Sequence, residues 1–85
     1  MHYVYVLQSV NNEYVYVGST RDLKRRIQEH NQGKNHSTKK YTPLKLVYYE
    51  AYIDKKDASN REQKLKHHGS VIGHLKRRLV NSLVK

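Results

Sequence analysis

The stretch from Tyr14 to His30 constrains the fold most, because its character changes at a single glycine. Before Gly18, tyrosine and valine alternate as they do in β-strands, and after it Leu23 and Ile27 recur at helical spacing among charged residues. The stretch therefore predicts a strand that breaks at the glycine and continues as a basic helix.

Three side chains of this stretch are of types that handle phosphate: Tyr16 at the end of the strand, and Arg26 and His30 one helical turn apart. At 100° per residue, His30 falls beside the apolar stripe of the helix and Arg26 falls at its edge. The residues expected to point away from the stripe are Lys24, Arg25, Gln28 and Glu29. A phenol, a guanidinium and an imidazole can therefore converge.

The length of 85 residues predicts one domain, spanning residues 1–85. The sequence has no cysteine, which excludes disulfides and thiolate zinc sites and gives no indication of an oxidising compartment. It shows no N-terminal targeting segment and no apolar run of the roughly 20 residues that a membrane span needs. We therefore expect a soluble, cytoplasmic protein.

The composition is strongly basic, with a formal net charge of +10. Such a charge attracts polyanions, and phosphate neutralisation gives nucleic acids a sequence-independent affinity for a basic protein. An anionic membrane is the weaker alternative, because no helix combines a broad apolar face with Trp or Phe, both of which are absent. Nucleic acid is the expected partner, and the sequence indicates no protein partner.

Two runs near the N-terminus, His2–Gln8 and Tyr14–Val17, are rich in tyrosine and valine and predict a pair of strands. Asn11 and Asn12 between them suit a tight hairpin turn, because asparagine tolerates the left-handed conformation.

A turn at those two asparagines fixes the register of the hairpin. It places Tyr5 opposite Gly18 and Tyr16 opposite Leu7, so that Tyr5 and Tyr16 share one face of the sheet. The residues expected on the other face are Val4, Val6, Val15 and Val17.

The following helix is expected to be capped by Thr20, to run to about Asn31 and to end at Gly33. The next segment, residues 34–42, is polar and basic, and its side chains His36, Lys39 and Lys40 make it a candidate phosphate-contacting loop.

A third strand is predicted at Leu46–Ile53, with Val47, Tyr49, Ala51 and Ile53 on one face and Tyr48, Glu50 and Tyr52 on the other. The rest of the chain predicts two helices. Asp54 begins the first, which runs from about Lys55 to His68 and turns Ala58, Leu65 and the carboxylate of Glu62 inward.

Ser70 is expected to cap the last helix, which packs by Leu75, Leu79 and Leu83, while the basic run at residues 76–78 forms a solvated face. The predicted fold is thus a small α+β (α/β) domain of order ββαβαα, in which three helices flank a three-stranded sheet with an N-terminal hairpin.

This order of elements and residues resembles the GIY-YIG nuclease family, which is named after two tripeptides in its first two strands. Here the tripeptides read Tyr3-Val4-Tyr5 and Tyr16-Val17-Gly18, and Arg61-Glu62 follows in the predicted second helix. The resemblance covers nearly the whole chain and is closest to small stand-alone members related to the N-terminal nuclease domain of UvrC. It implies a metal-dependent endonuclease that hydrolyses phosphodiester bonds, with DNA favoured over RNA and DNA repair as a family-level analogy.

Carried over to this sequence, the resemblance implies the catalytic residues Tyr5, Tyr16, Arg26, His30 and Glu62. Glu62 would hold a single Mg²⁺ or Mn²⁺ ion, and Arg26 would bind phosphate. Tyr5 would be the general base, which requires either that nearby cations lower its pKa from about 10 or that the transfer is concerted. Tyr16 would position water or phosphate, and His30 would take or relay a proton.

Two positions depart from the family pattern. Tyr3 stands where the first tripeptide has its glycine, and the family's late asparagine has no clear counterpart, with Asn81 as one candidate.

Simpler interpretations of the same residues stay open. Glu62 can pair with Lys66 at i+4, a contact worth about 0.3–0.5 kcal/mol, and His30 can be a boundary histidine. The spacing of His67, His68 and His74 fits no common zinc site. The alternative function is a non-catalytic nucleic-acid-binding module whose tyrosines stack on bases, and a weaker one is a protein-interaction scaffold.

Overall fold

The structure, a computed structural model, describes residues 1–83. Within them lie three strands and three α-helices: β1 (His2–Ser9), β2 (Val15–Thr20), α1 (Leu23–Asn31), β3 (Leu44–Tyr52), α2 (Lys55–His67) and α3 (Gly69–Arg78). A 3₁₀ turn at Lys39–Tyr41 lies between α1 and β3. The predicted order ββαβαα and the α+β class are confirmed.

The three strands form one antiparallel sheet in the order β2-β1-β3. Tyr5 pairs with Gly18 and Leu7 with Tyr16, which confirms the predicted register. The strand does not break at Gly18, however, because β2 continues to Thr20. Gly18 therefore lies inside the sheet.

Each face of the sheet is covered by different helices. The face that we call the valine face packs against α2 and α3 around Val4, Val6, Val17, Ala58, Leu65 and Leu75. The opposite face, called here the tyrosine face, carries Tyr5, Tyr16 and Leu7, and Leu23 and Ile27 of α1 pack on it. The predicted separation of the tyrosines from the valines is confirmed.

The predicted bounds of β3 and the predicted face of Val47 are wrong, whereas Tyr48, Glu50 and Tyr52 share one face as predicted. The strand covers Leu44–Tyr52, and its register against β1 shifts between Val6 and Leu7, so that Val47 is an extra residue between two paired positions. Because of this bulge, Val47 packs with Tyr48 against the valine-face core, whereas Tyr49 and Ile53 are 52% and 86% exposed.

Asp22, and not Thr20, caps α1. Its Oδ1 accepts a hydrogen bond from the Arg25 backbone N–H at 3.1 Å, while the Thr20 hydroxyl accepts one from the Asp22 N–H and orders the preceding turn. The helix ends as predicted at Gly33, whose φ of 77° is left-handed. The N–H groups of Gly33 and Lys34 bond back to the last turn of the helix, which is the Schellman arrangement.

One side chain, that of Asn31, joins the end of α1 to the start of β3. Its amide nitrogen donates to the Leu44 carbonyl at 2.9 Å, and its amide oxygen accepts from the Leu44 N–H at 2.7 Å. The side-chain amide thus pairs with both backbone groups of Leu44. Residues 32–43 therefore form a loop whose two ends are held together, and the start of β3 is tied to the end of α1.

The last two helices follow the prediction in part. Asp54 caps α2 and the helix buries Ala58 and Leu65, as expected. Ser70 is not a cap, because α3 begins at Gly69 and the capping position belongs to His68, whose side chain makes no capping bond.

The core contact of α3 is made by Leu75, which is buried, and by Leu79 just beyond the last helical residue. The basic run at residues 76–78 is exposed. Within residues 1–83, no helix has the length and apolar character that crossing a bilayer requires.

Candidate active site

The site begins where the phenol of Tyr5 crosses over Gly18. A Cβ atom added to Gly18 would lie 2.5 Å from the Tyr5 hydroxyl oxygen and 2.9 Å from Cε2 of Tyr16, so no larger residue fits beneath the two rings. Gly18 thus serves the close approach of two side chains and leaves the strand unbroken.

The Tyr5 hydroxyl starts a buried hydrogen-bonded chain. Its oxygen lies 2.9 Å from Nε2 of His30, and Nδ1 of His30 lies 2.8 Å from Oγ1 of Thr38. All three side chains are buried. The chain leads from β1 through α1 into the loop before β3.

Tyr16 completes an aromatic cluster with these residues. Its ring centroid lies 6.3 Å from that of Tyr5 and 5.0 Å from that of His30. Three of the sequence-predicted site residues therefore converge on the tyrosine face.

Arg26 lies at the edge of this cluster, as predicted from helical phase. Its side chain is 31% exposed, against 75% for Arg25. It pairs with Glu29, Nη1 to Oε1 at 3.0 Å, and its positive charge acts on Tyr5. The carboxylate of Glu29, which was expected to point away from the apolar stripe, bonds to both neighbouring arginines.

The environment works against an ionised Tyr5. Burial raises the pKa of Tyr5 to about 12, although the nearby Arg26 acts to lower it. Among the protein's own groups, the expected lowering by Arg26 is thus outweighed by desolvation. Burial, assisted by the charge of Arg26, also lowers the pKa of His30, so its imidazole is neutral at pH 7.

Glu62 reaches the site from the other side of the sheet. Its Oε1 accepts a hydrogen bond at 3.0 Å from the hydroxyl of Ser19, the residue next to Gly18 on the edge strand β2. Its Oε2 lies 3.0 Å from Nζ of Lys66, which in turn lies 5.4 Å from the centre of the Tyr16 ring. The negative charge of Glu62 also acts on Tyr5. The ion pair between Glu62 and Lys66, which the sequence offered as a simpler interpretation, is therefore present, and it lies beside the tyrosine cluster.

The donor set around Glu62 fits a metal ion held by few protein ligands. Within residues 1–83, no group of three or more His, Cys, Asp or Glu side chains could hold an ion. Mg²⁺, however, keeps several waters and is often bound through one or two carboxylates and substrate phosphate. Each oxygen of Glu62 has a lone pair beyond the one used by Ser19 or Lys66.

A shallow groove leads to Arg26 along the start of α1. It is lined by Thr20, Arg21, Asp22, Arg25, Arg26 and Glu29. On the tyrosine face, Tyr3 packs edge-on against Tyr49, with ring centroids 5.9 Å apart. Arginines and the exposed ring of Tyr49 therefore both border the site.

Sequence reasoning missed Thr38, Ser19 and Lys66 as members of this cluster. Thr38 carried no signal because it lies in a polar loop and acts across the fold, whereas Ser19 and Lys66 adjoin residues that the sequence did single out. Asn81 lies exposed in the turn after α3.

Comparison with known proteins agrees with this geometry. The family model described as the GIY-YIG catalytic domain matches residues 1–71. A UPF0213 protein of Clostridium perfringens is 41% identical over 70 residues, covering 78% of this chain and 71% of the relative, and one of Haloquadratum walsbyi is 38% identical over 66 residues, covering 76% and 73%. The solution NMR structure of a UPF0213 protein from Bacillus halodurans matches with a TM-score of 0.53 and 34% identity, covering 94% of this chain and 82% of that one. The chain belongs to the GIY-YIG family.

Proposed function

We propose that this protein is a metal-dependent endonuclease that hydrolyses phosphodiester bonds in nucleic acid, with DNA as the preferred substrate. The observation that carries the proposal is the convergence of Tyr5, Tyr16, Arg26 and His30 beside Gly18, with Glu62 at the adjoining strand edge. Membership of the GIY-YIG family supports the reaction class.

Hydrolysis requires an activated water and compensation of the negative charge that develops on the phosphoryl oxygens. Arg26 supplies a planar pair of donors that suits phosphate and stays protonated. Tyr5 takes the proton of the attacking water, and Tyr16 orients water or phosphate with its hydroxyl. His30 receives a proton from Tyr5, because its Nε2 lies within hydrogen-bonding distance of that hydroxyl.

Glu62 holds the divalent ion, Mg²⁺ or Mn²⁺, in this proposal. When bound, the ion polarises the phosphoryl group and stabilises the leaving oxygen. Ser19 keeps the carboxylate at the strand edge through its hydrogen bond. The arginine-lined groove at the start of α1 accommodates the neighbouring phosphates of the substrate.

The test incubates the protein with Mg²⁺ or Mn²⁺ and a panel of single-stranded, duplex and branched DNA and RNA oligonucleotides. Wild type is compared with Glu62→Ala and Tyr5→Phe, and Lys24→Ala serves as the control because Lys24 is exposed on α1 and does not line the groove. We expect cleavage by the wild type and the control, and loss of cleavage with retained binding in the other two. Equal cleavage by all four proteins would contradict the proposed site.

The second candidate is a non-catalytic nucleic-acid-binding module. It is favoured by one observation, the half-exposed ring of Tyr49 beside Tyr3 on the tyrosine face, on which an unpaired base can stack. A binding module gains nothing from a carboxylate that faces phosphates, so Glu62→Ala should then tighten binding. Absence of cleavage together with tight, salt-sensitive binding would favour this candidate.

A further inference from the structure

The buried chain that starts at Tyr5 ends at Thr38, which neither the sequence pattern nor the family resemblance singles out. Thr38 and His30 are both fully buried, and their hydrogen bond of 2.8 Å joins the loop to α1. The loop is tied at its ends by Asn31 and Leu44. Thr38 is therefore held in place by its bond to His30 and by the closure of the loop at both ends.

The direction of the hydrogen bonds in this chain decides what His30 can do. A neutral imidazole has one nitrogen that donates and one that accepts. When Nδ1 carries the proton it donates to the Thr38 oxygen, and Nε2 is free to accept from the Tyr5 hydroxyl. In the opposite tautomer Nε2 donates to Tyr5 and cannot receive its proton.

The groups that face His30 come from every element around it. They are Tyr5 from β1, Tyr16 from β2, Arg26 and Glu29 from α1, and Thr38 from the loop. Among these, Thr38 is the group within hydrogen-bonding distance of Nδ1. The high pKa of Tyr5 makes its phenolate rare at neutral pH, which increases the need for an acceptor for its proton.

We propose that Thr38 is a positioning residue, whose hydroxyl holds His30 with its proton on Nδ1 so that Nε2 can receive the proton of Tyr5. This inference rests on the proposed nuclease function. In the step, the water oxygen forms a bond to phosphorus as one of its O–H bonds breaks, and that proton goes to Tyr5. Tyr5 passes its own proton to Nε2, and the bond from phosphorus to the leaving oxygen breaks with its electron pair on that oxygen. The imidazolium returns its proton to solvent before the next turnover.

The experiment measures the tautomer of His30 and the turnover rate in the same set of proteins. The imidazole ¹⁵N chemical shifts distinguish a protonated from an unprotonated nitrogen, and they are recorded for wild type, Thr38→Val and Thr38→Ser. Thr42→Val is the matched control, because that hydroxyl lies in the same loop and donates to a backbone carbonyl.

We expect the wild type, Thr38→Ser and Thr42→Val to hold the proton of His30 on Nδ1 and to cleave at rates within about threefold of each other. Thr38→Val should lose the single tautomer and should lower kcat by at least about tenfold with little change in KM, a fraction of the 10²- to 10⁴-fold that proton transfer contributes to catalysis.

An active wild-type protein with the proton of His30 on Nε2 would overturn the inference about Thr38 alone. Unchanged kcat and tautomer in Thr38→Val would do the same. If Thr38→Val does not fold, the inference is tested by two other results. These are the His30 tautomer in the wild type, and the tautomer and cleavage rate of Thr38→Ser, which keeps the hydroxyl. A wild type that binds nucleic acid but does not cleave any substrate would overturn the proposed function. It would also overturn the catalytic role proposed for the hydrogen bonds that join Tyr5, His30 and Thr38.

Discussion

The two faces of the sheet each carry a cluster of tyrosine hydroxyls, and the clusters differ in the group that the hydroxyls contact. On the valine face, Tyr48 and Tyr52 both donate to the carboxylate of Glu50, which Arg61 also holds by two of its nitrogens. On the tyrosine face, the Tyr5 hydroxyl lies 2.9 Å from Nε2 of the His30 imidazole. One cluster is closed by an ion pair, and the other contains a neutral base.

This difference separates the structural role of Tyr48 and Tyr52 from the chemical role proposed for Tyr5. Burial raises the pKa of both Tyr52 and Tyr5 to about 12, so the shift by itself does not distinguish them. The carboxylate of Glu50, whose pKa is lowered by Arg61 and the two tyrosines against the effect of burial, stays charged and fixes the phenols as donors. A neutral imidazole has one nitrogen with a free lone pair, so His30 can serve as the acceptor proposed for the Tyr5 proton.

The largest effect that tests this comparison is expected from removing one hydroxyl on each face. Tyr5→Phe should lower the cleavage rate by about 10²- to 10⁴-fold, because it removes the group proposed to take the proton of water. Tyr52→Phe should leave cleavage unchanged, and each variant should lose only about 1 kcal/mol of unfolding free energy. Cleavage kinetics and urea denaturation measure the two quantities, and a cleavage loss shared by both variants would remove the distinction between the clusters.

The second test moves the Tyr5 phenol and keeps its hydroxyl. Gly18→Ala places a methyl group 2.5 Å from the Tyr5 hydroxyl oxygen, so the phenol must shift. We expect cleavage to fall by at least about tenfold and the unfolding free energy to fall by about 1–3 kcal/mol. Gly73→Ala is the control, because nothing lies within 4 Å of its added Cβ in α3. That variant should gain up to about 1 kcal/mol. Full activity of Gly18→Ala would show that the position of the phenol is unimportant.

The third test removes the ion pair between Arg61 and Glu50 on the valine face. Arg61→Ala leaves the Glu50 carboxylate with its two tyrosines and without its cation, so we expect a loss of about 1–3 kcal/mol in unfolding free energy. Cleavage well below the melting temperature should not change. Lys64→Ala, on the exposed side of the same helix, should alter neither quantity. Reduced cleavage by a still-folded Arg61→Ala protein would assign this cluster a part in the reaction.

The smallest effect is the pH dependence that His30 gives to stability. Because its pKa is lower in the folded protein than in the unfolded chain, the unfolded state binds the proton more readily as the pH falls below about 6.5. Stability should therefore decrease from pH 7.5 to pH 5.5, and the decrease should be smaller in His30→Gln. The exposed His36 provides the control through His36→Gln, which should behave as wild type. Melting temperatures at the two pH values give the comparison.

The parts of the fold that could be predicted from sequence depend on local patterns. The hairpin register followed from two asparagines between alternating strands, and it placed Tyr5 opposite Gly18 correctly. The inward position of Arg26 relative to Arg25 followed from helical phase. In each case the residues that carry the information lie within one element or two adjacent ones.

The parts that could not be predicted depend on contacts between distant segments. The bulge at Val47 arises from how β3 pairs with β1, so alternation within β3 could not reveal it. Glu62 was expected to turn inward, but its bond to Ser19, 43 residues away in the chain, could not be foreseen. Thr38 had no local pattern at all, since its partner is buried on a neighbouring helix.

The two hydrogen bonds between Asn31 and Leu44 make the intervening loop an independently closed unit. Because the entropy of loop closure grows only logarithmically, doubling the length of such a loop costs about 0.6 kcal/mol. Extra residues inserted at the exposed tip near His36 would thus leave the sheet intact. The loop can therefore vary in length while the amide of Asn31 keeps both of its ends in place.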